Sequence, residues 1–316
     1  MDKIQAAIAK ARAAREAAAQ QGAAPRPVAA PQPASRAPAP APAAAPVVPP
    51  AAMADPAPVV PEAPAPAEAA APERAEAWRP LATFAPPARQ MARHRIVTFA
   101  TSGDTAPGAI AFDMLRTKVL QQMRANGWKR LAITSPGADC GKSTVVLNLA
   151  FSLSKQADVH TIVAEMDMRR PSLAKTLGVK GTTSFASVLE GKAEFGAMAV
   201  RPRPNLAFGL NHARARNPAE LLQSPGIGPA LAAIEARYAP DLTIFDMPPM
   251  LVSDDALAFM GQVDCALLVA AAGATTLREI DVCERDLAAQ TNVLGVILNK
   301  CRYMEKDYGY AYGSYS

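Results

Sequence analysis

Aromatic residues make up only 5% of this chain, histidine occurs three times in 316 residues, and cysteine occurs four times. The cysteines (Cys140, Cys265, Cys283 and Cys301) have no paired spacing and no neighbouring histidines, which excludes a Cys/His metal cluster and a disulfide framework. Cys265 lies in an apolar run, where a buried thiol is the ordinary explanation, and the composition fits a reducing compartment. The formal charge of +5 comes without any basic run of the kind that forms a nucleic-acid arm, so no DNA or RNA partner is expected. No uninterrupted apolar run approaches the ~18 to 20 residues of a membrane span. The opening also lacks the compact apolar core of a secretory leader. These absences lead to the expectation of a cytoplasmic protein that meets a membrane only through a partner.

Proline, by contrast, is abundant, and most of the 30 prolines fall before residue 90. Residues 1–20 are rich in Ala, Lys, Arg and Glu, all good helix formers, with Ile4, Ile8 and Ala11 on one face. Two readings stay open for this short N-terminal helix: docking to a partner or an anionic membrane surface, or a solvated, frayed helix. Residues 21–90 are Ala/Pro-rich, too poor in bulky apolar residues to pack a core, and are expected to be a disordered, semi-extended linker. Residues 91–302 carry the folded block, and residues 303–316 form a tail.

Within that block, helices are expected at 109–126, from 142 to about 155, near 172–177, at 218–223 and at 226–237. Short apolar strands are expected at 129–134, 160–164, 205–210, 242–245, 265–270 and 294–298. Continuous apolar strands alternating with helices define an α/β fold, a mostly parallel sheet with helices on both faces.

The strongest chemical signal lies between a strand and a helix, from Ser135 to Thr144. Gly141, Lys142 and Ser143 are the end of a phosphate-binding loop, in which successive backbone N–H groups and the following helix N-terminus wrap phosphates. Gly137, Ala138, Asp139, Cys140, Gly141, Lys142, Ser143 and Thr144 are the expected nucleotide contacts. Lys142 would reach the β- and γ-phosphates, and the Ser143 hydroxyl would coordinate Mg²⁺. The usual pattern has glycine five residues before Gly141; that position is Pro136, with Gly137 one step later. The ligand expected is ATP with Mg²⁺.

Acids follow at strand ends. Glu165 and Asp167 alternate past the strand at 160–164, where open α/β sheets bind ligands. Near an Mg–nucleotide, one carboxylate can hold the metal and another can accept a proton from an attacking hydroxyl; their alternative is pairing with Arg169 and Arg170. Asp246 caps another apolar strand and is a candidate for the magnesium shell. Asn299 ends the strand at 294–298, either to read the adenine edge through paired donor and acceptor groups or simply as a turn asparagine. Five of the six tyrosines (Tyr303, Tyr308, Tyr310, Tyr312 and Tyr315) crowd into the final segment among glycines and small polar residues. Such a segment cannot pack a core, so the phenols are presented outward or serve as an aromatic contact tail.

Taken together, residues from about 109 to 316 resemble the bacterial tyrosine kinases (BY-kinases) that control capsule and exopolysaccharide synthesis, P-loop NTPases related to MinD and ParA. The resemblance is carried by the helix containing Leu115, Arg116 and Thr117 and by the loop ending at Thr144. The strand end through Asp167, Arg169, Arg170 and Pro171 adds to it, as do Asn217 to Leu222, Asp246 to Pro249, Val252 to Asp254, the strand ending at Asn299 and the tyrosine tail. It implies ATP-dependent autophosphorylation of the tail by Lys142, Glu165 and Asp167, with Ser143, Glu165 and Asp246 at the metal. It also implies a transmembrane polysaccharide chain-length regulator or co-polymerase as a separate activating chain that recruits the kinase to the inner face of the cell membrane. A homo-oligomer and a counteracting tyrosine phosphatase complete the implied partners. The chain departs from the family in two further places. Glu165 replaces an aspartate, and the Glu-x-x-Arg-x-x-Arg assembly motif survives only as Arg116, with Asp113 in place of the first arginine. Two alternatives remain: a MinD/ParA-like switch ATPase, against which Gly137 stands where a second lysine is needed, and a degenerate nucleotide-binding scaffold.

Overall fold

The computed structural model describes residues 71–99 and 107–301. The N-terminal helix at 1–20, the linker up to residue 70 and the tyrosine tail lie outside the described residues. In chain order the elements are α1 (Ala71–Trp78), β1 (Ala82–Thr83), α2 (Ala88–Arg93), α3 (Pro107–Asn126), β2 (Arg130–Thr134), α4 (Lys142–Leu153), β3 (Thr161–Glu165) and α5 (Leu173–Leu177). They continue with α6 (Phe185–Leu189), α7 (Phe195–Met198), β4 (Val200–Arg203), β5 (Leu206–Gly209), α8 (Pro218–Leu222) and α9 (Ile227–Tyr238). The last are β6 (Leu242–Asp246), α10 (Asp255–Phe259), β7 (Cys265–Ala271), α11 (Leu277–Ala288) and β8 (Asn292–Asn299).

All eight strands join one sheet in the order β1-β4-β5-β3-β6-β2-β7-β8. Every pairing is parallel except the antiparallel β4–β5 pair. The central strands are buried throughout because each face of the sheet has its own helix layer. Leu131, Ile133, Val163, Ile244 and Leu267 pack with α3, α4 and α5 on one side. Ala132, Ile162, Phe245 and Leu268 pack with α6, α9 and α11 on the other. The alternation of side chains along a strand distributes each apolar run between the two layers. No helix among the described residues is long and apolar enough to cross a membrane.

The sequence boundary of the linker needs correction. Residues 71–90 are not part of it: Trp78 is 1% exposed, and its indole Nε1 donates to the Tyr238 carbonyl at 2.7 Å. Leu81 and Met91 are buried as well. A few large apolar side chains, each contributing about 1.5–3 kcal/mol on burial, fold this proline-containing stretch onto the domain.

Among the apolar positions of α3 are Ile110, Met114, Val119 and Met123. Val119 and Met123 are buried, whereas Ile110 is exposed. In the middle of α3, Arg116 turns inward. Its Nη1 donates to Asp113 Oδ1 at 3.1 Å and to the Ser152 carbonyl at 3.0 Å, and the Ser152 hydroxyl donates to the same Asp113 oxygen at 2.6 Å. Lys155 Nζ adds a 3.2 Å contact to Asp113. The surviving arginine of the assembly motif thus clasps α3 to the end of α4.

Candidate active site

The site sits at the carboxyl ends of β2, β3 and β6, three adjacent central strands. Between β2 and α4 the chain must reverse tightly enough for its amides to face inward. It does so through two residues in the left-handed region, Asp139 (φ 61°) and Gly141 (φ 91°). Only glycine suits the second position, since a Cβ there would collide with the Asn299 side-chain amide and the positive φ disfavours any other residue. Neighbouring loops clamp the turn. Thr134 Oγ1 donates to the Pro248 carbonyl at 2.8 Å, Met250 N to the Ser135 carbonyl at 2.8 Å, and Leu251 N to the Pro136 carbonyl at 3.0 Å.

The loop opens into a cleft of about 600 Å³ lined by Ala138, Asp139, Gly141, Lys142, Ser143 and Thr144 on one wall. Asp167, Arg169, Arg170 and Ser172 form another wall, and Pro248, Pro249 and Val252 a third. The N-terminus of the twelve-residue α4 points into it without an acidic residue in its first turn. Unpaired amides and a helix dipole there favour an anion.

The charged centre is compact. Lys142 Nζ donates to Asp167 Oδ2 at 2.9 Å and lies 3.6 Å from Asp246 Oδ1. The Ser143 hydroxyl donates to Asp246 Oδ2 at 2.8 Å and sits 3.3 Å from the Ser172 hydroxyl. Burial alone would pull the Lys142 ammonium down, but the carboxylates of Asp246 and Asp167 outweigh it and its pKa is raised. Burial pushes the Asp246 carboxyl up, with Lys142 and Ser143 opposing. Asp167 Oδ1 also accepts from the Arg170 backbone N–H at 3.0 Å, which aims the carboxylate into the cleft. Arg169 is held in place by a two-armed pair with the buried Asp255, at 2.5 and 2.9 Å.

The residues fit a magnesium ion. Asp246 Oδ1 is a buried acceptor without a hydrogen-bond donor, and the Ser143 hydroxyl lies beside the same carboxylate. Hard oxygen donors of this kind suit Mg²⁺ carried in with phosphates.

The structure brings together most of the residues expected from sequence: Gly137 in the loop, Ala138, Asp139, Gly141, Lys142, Ser143 and Thr144, with Asp167 and Asp246. Glu165, expected in a catalytic and metal role, is the last residue of β3. It is fully buried beside Asp246 in the β3–β6 register, and both of its carboxylate oxygens accept backbone N–H groups. Oε1 accepts from the Ser172 and Leu173 N–H groups at 2.6 and 2.8 Å, and Oε2 from the Asn211 N–H at 2.8 Å. Burial pushes its pKa up to about 7 against those three bonds. Its carboxylate ties the loop after β3 to the loop after β5.

Cys140 contributes backbone to the loop, while its thiol faces Thr275 Oγ1 at 3.6 Å. Asn299, expected to read the adenine edge or to be a turn asparagine, donates its amide to the Cys140 carbonyl at 2.9 Å and so braces the phosphate loop. Tyr303, Tyr308, Tyr310, Tyr312 and Tyr315 lie outside the described residues. Sequence reasoning missed Asp255 as the anchor of Arg169, and Asp139 as a left-handed residue. An acid directly after the Val252–Asp254 motif was the available signal for Asp255; nothing in the sequence marks the φ of Asp139.

No protein-family model matches the chain. The tyrosine-protein kinase CpsD of Streptococcus agalactiae is 30% identical over 207 residues, covering 65% of this chain and 88% of that protein. The tyrosine-protein kinase Wzc of Salmonella typhi is 31% identical over 206 residues, 63% of this chain, and the match spans only 28% of Wzc. Among solved structures, the kinase domain of the Escherichia coli tyrosine kinase ETK aligns with a TM-score of 0.57 at 28% identity, covering 65% of this chain and 80% of that one.

Proposed function

This chain belongs to the bacterial tyrosine-protein kinase family, and we propose that it transfers the γ-phosphoryl group of ATP to tyrosines of its own tail. The observation that carries the proposal is the cluster of Lys142, Ser143, Asp167 and Asp246 at the mouth of a phosphate-binding helix N-terminus.

Lys142 is paired with Asp167 and Asp246 here. A triphosphate entering along the α4 amides offers Lys142 a more highly charged partner, which frees the Asp167 carboxylate. Asp167 then accepts the proton of the tyrosine hydroxyl as the phenol oxygen bonds to the γ-phosphorus and the bond to the β-phosphate bridging oxygen breaks, leaving ADP. Ser143 and Asp246 would hold Mg²⁺, which supplies charge neutralisation on the phosphates. Gly141, Lys142, Ser143 and Thr144 position the phosphates through backbone N–H groups, and Asn299 braces that loop. Glu165 serves as a structural tie. Positioning and charge complementarity supply most of the rate in such chemistry.

The acceptors are Tyr303, Tyr308, Tyr310, Tyr312 and Tyr315. The reaction regulates capsule or exopolysaccharide synthesis, with a separate transmembrane chain-length regulator or co-polymerase as activator. That partner recruits the kinase from the cytoplasm to the inner membrane face, aided by residues 1–70. A tyrosine phosphatase resets the tail. Arg116 is held internally by Asp113 and Ser152.

The test is phosphotyrosine detection on purified full-length chain after incubation with Mg–ATP, comparing wild type with Asp167→Asn. Labelling in the wild type and its loss in the variant are expected. Full labelling of Asp167→Asn would remove the assigned base.

A second reading, a nucleotide-binding scaffold without transfer activity, is favoured by one observation: the carboxylate of Glu165 is buried and committed to three backbone N–H groups. Tight ATP binding with neither hydrolysis nor labelling would select it.

A further inference from the structure

Lys300 follows the last residue of β8 and lines the cleft beside Gly141, Ser143 and Thr144. Successive side chains of a strand point in opposite directions. Asn299 sends its amide to the phosphate loop, so a strand continued in regular geometry would turn Lys300 away from that loop. Instead Lys300 takes a left-handed backbone conformation, φ 61°. As a result both neighbours reach the same spot: a Cβ on Gly141 would collide with the Asn299 amide and lie 3.9 Å from Lys300 Cε. A long side chain in the left-handed region persists where the surroundings demand it, and such residues gather at ligand sites. Among the described residues the Lys300 ammonium makes no ion pair. Lys142, by contrast, is drawn toward Asp167 and Asp246 at the far side of the loop.

We infer that Lys300 is a second cation of the nucleotide site, held over Gly141 to neutralise the diphosphate portion that ATP and ADP share. The inference rests on the nucleotide-binding reading above and adds a residue to it. Lys142 answers the end of the polyphosphate nearest Asp167, and Lys300 the end nearest β8. Because the ammonium stands at the open rim, its attraction is screened by salt.

The experiment is a titration of the full-length chain with ATP and with ADP, using wild type, Lys300→Gln and Lys300→Arg at low and at high salt. Adenosine serves as a competitor. Lys300→Gln is expected to weaken ATP and ADP alike by about five- to tenfold at low salt. Lys300→Arg should retain most of the affinity, and the difference should shrink at high salt. Adenosine competition should not change. If Lys300→Gln fails to fold, Lys300→Gly keeps the test intact, because glycine accepts this φ without strain. Equal affinities in wild type and Lys300→Gln would overturn the inference. A loss for adenosine as large as for ATP would also overturn it, placing the side chain on the base. Failure of the wild type to bind either nucleotide would sink the nucleotide-binding reading itself, and Lys300 with it.

Discussion

Replacing Lys142 by methionine, the usual way to disable a phosphate loop, should unsettle the fold as well as the chemistry. The ammonium lies 2.9 Å from Asp167 and 3.6 Å from Asp246, with Asp246 fully buried and Asp167 nearly so. Methionine fills similar volume but leaves two neighbouring buried carboxylates without their cation. Removing one partner of a buried ion pair costs about 3–5 kcal/mol, because the stranded charge remains. For a domain of this size each kcal/mol moves the melting temperature by about 2–4 °C, so a drop of roughly 6–20 °C is expected near neutral pH. The pH dependence has a definite sign. Asp246 already has a raised pKa through burial, and losing Lys142 raises it further. A carboxyl raised in the folded state binds its proton more readily there than in the unfolded chain. The destabilisation is therefore full at pH 8 and shrinks as the pH falls toward the unfolded value near 4. The assay is a set of thermal melts of wild type, Lys142→Met, Asp246→Asn and the double variant from pH 8 to 5. The double variant should recover part of the loss, since it removes a stranded charge. A Lys142→Met protein melting within about 2 °C of wild type at pH 8 would refute this account of the charged centre.

Three other perturbations separate structure from chemistry. Glu165→Gln should lower stability by about 1–3 kcal/mol, because one end of the amide meets a backbone donor it cannot accept from, while the affinity for Mg–ATP stays within about twofold. A titration and a melt on the same sample check both; a large affinity loss without destabilisation would return Glu165 to the metal shell. Asp139→Gly removes a carboxylate from the phosphate wall and relieves a left-handed residue, so ATP should bind severalfold tighter by calorimetry. Thr276→Ala breaks the reciprocal cap of α11, in which Thr276 and Glu279 satisfy each other's backbone N–H groups. It should cost about 1 kcal/mol, seen as a fall of about 2–4 °C in the melt.

The sheet and the phosphate loop were legible because the central strands are short apolar runs and the Gly141–Ser143 signature falls between one of them and a helix. Asp246 was legible for the same reason, as an acid at the end of such a run. What escaped was controlled by tertiary contact. Val200–Arg203 is a strand of arginines and a proline, held at the sheet margin by the antiparallel pairing with β5. The helix at Leu277–Ala288 hides its character because Leu277 is exposed while only Cys283 and Leu287 are buried, although the Thr276/Glu279 cap was readable. Trp78 stands in a proline-rich stretch, and its partners, Tyr238 and the core, are distant in sequence. Glu165 shows the limit of spacing arguments. Alternation put it near Asp167 and Asp246, but the direction of its carboxylate depended on three amides from Ser172, Leu173 and Asn211, which no local pattern displays.

The central claim is phosphoryl transfer to the tail, and intact-mass analysis with site mapping tests it most directly. Purified full-length chain would be incubated with Mg–ATP, with and without the cytoplasmic segment of a membrane chain-length regulator. The account predicts stepwise addition of phosphate confined to Tyr303, Tyr308, Tyr310, Tyr312 and Tyr315, and its loss in Asp167→Asn. A tail that stays unmodified in both conditions, while ATP binding is measurable, would contradict it.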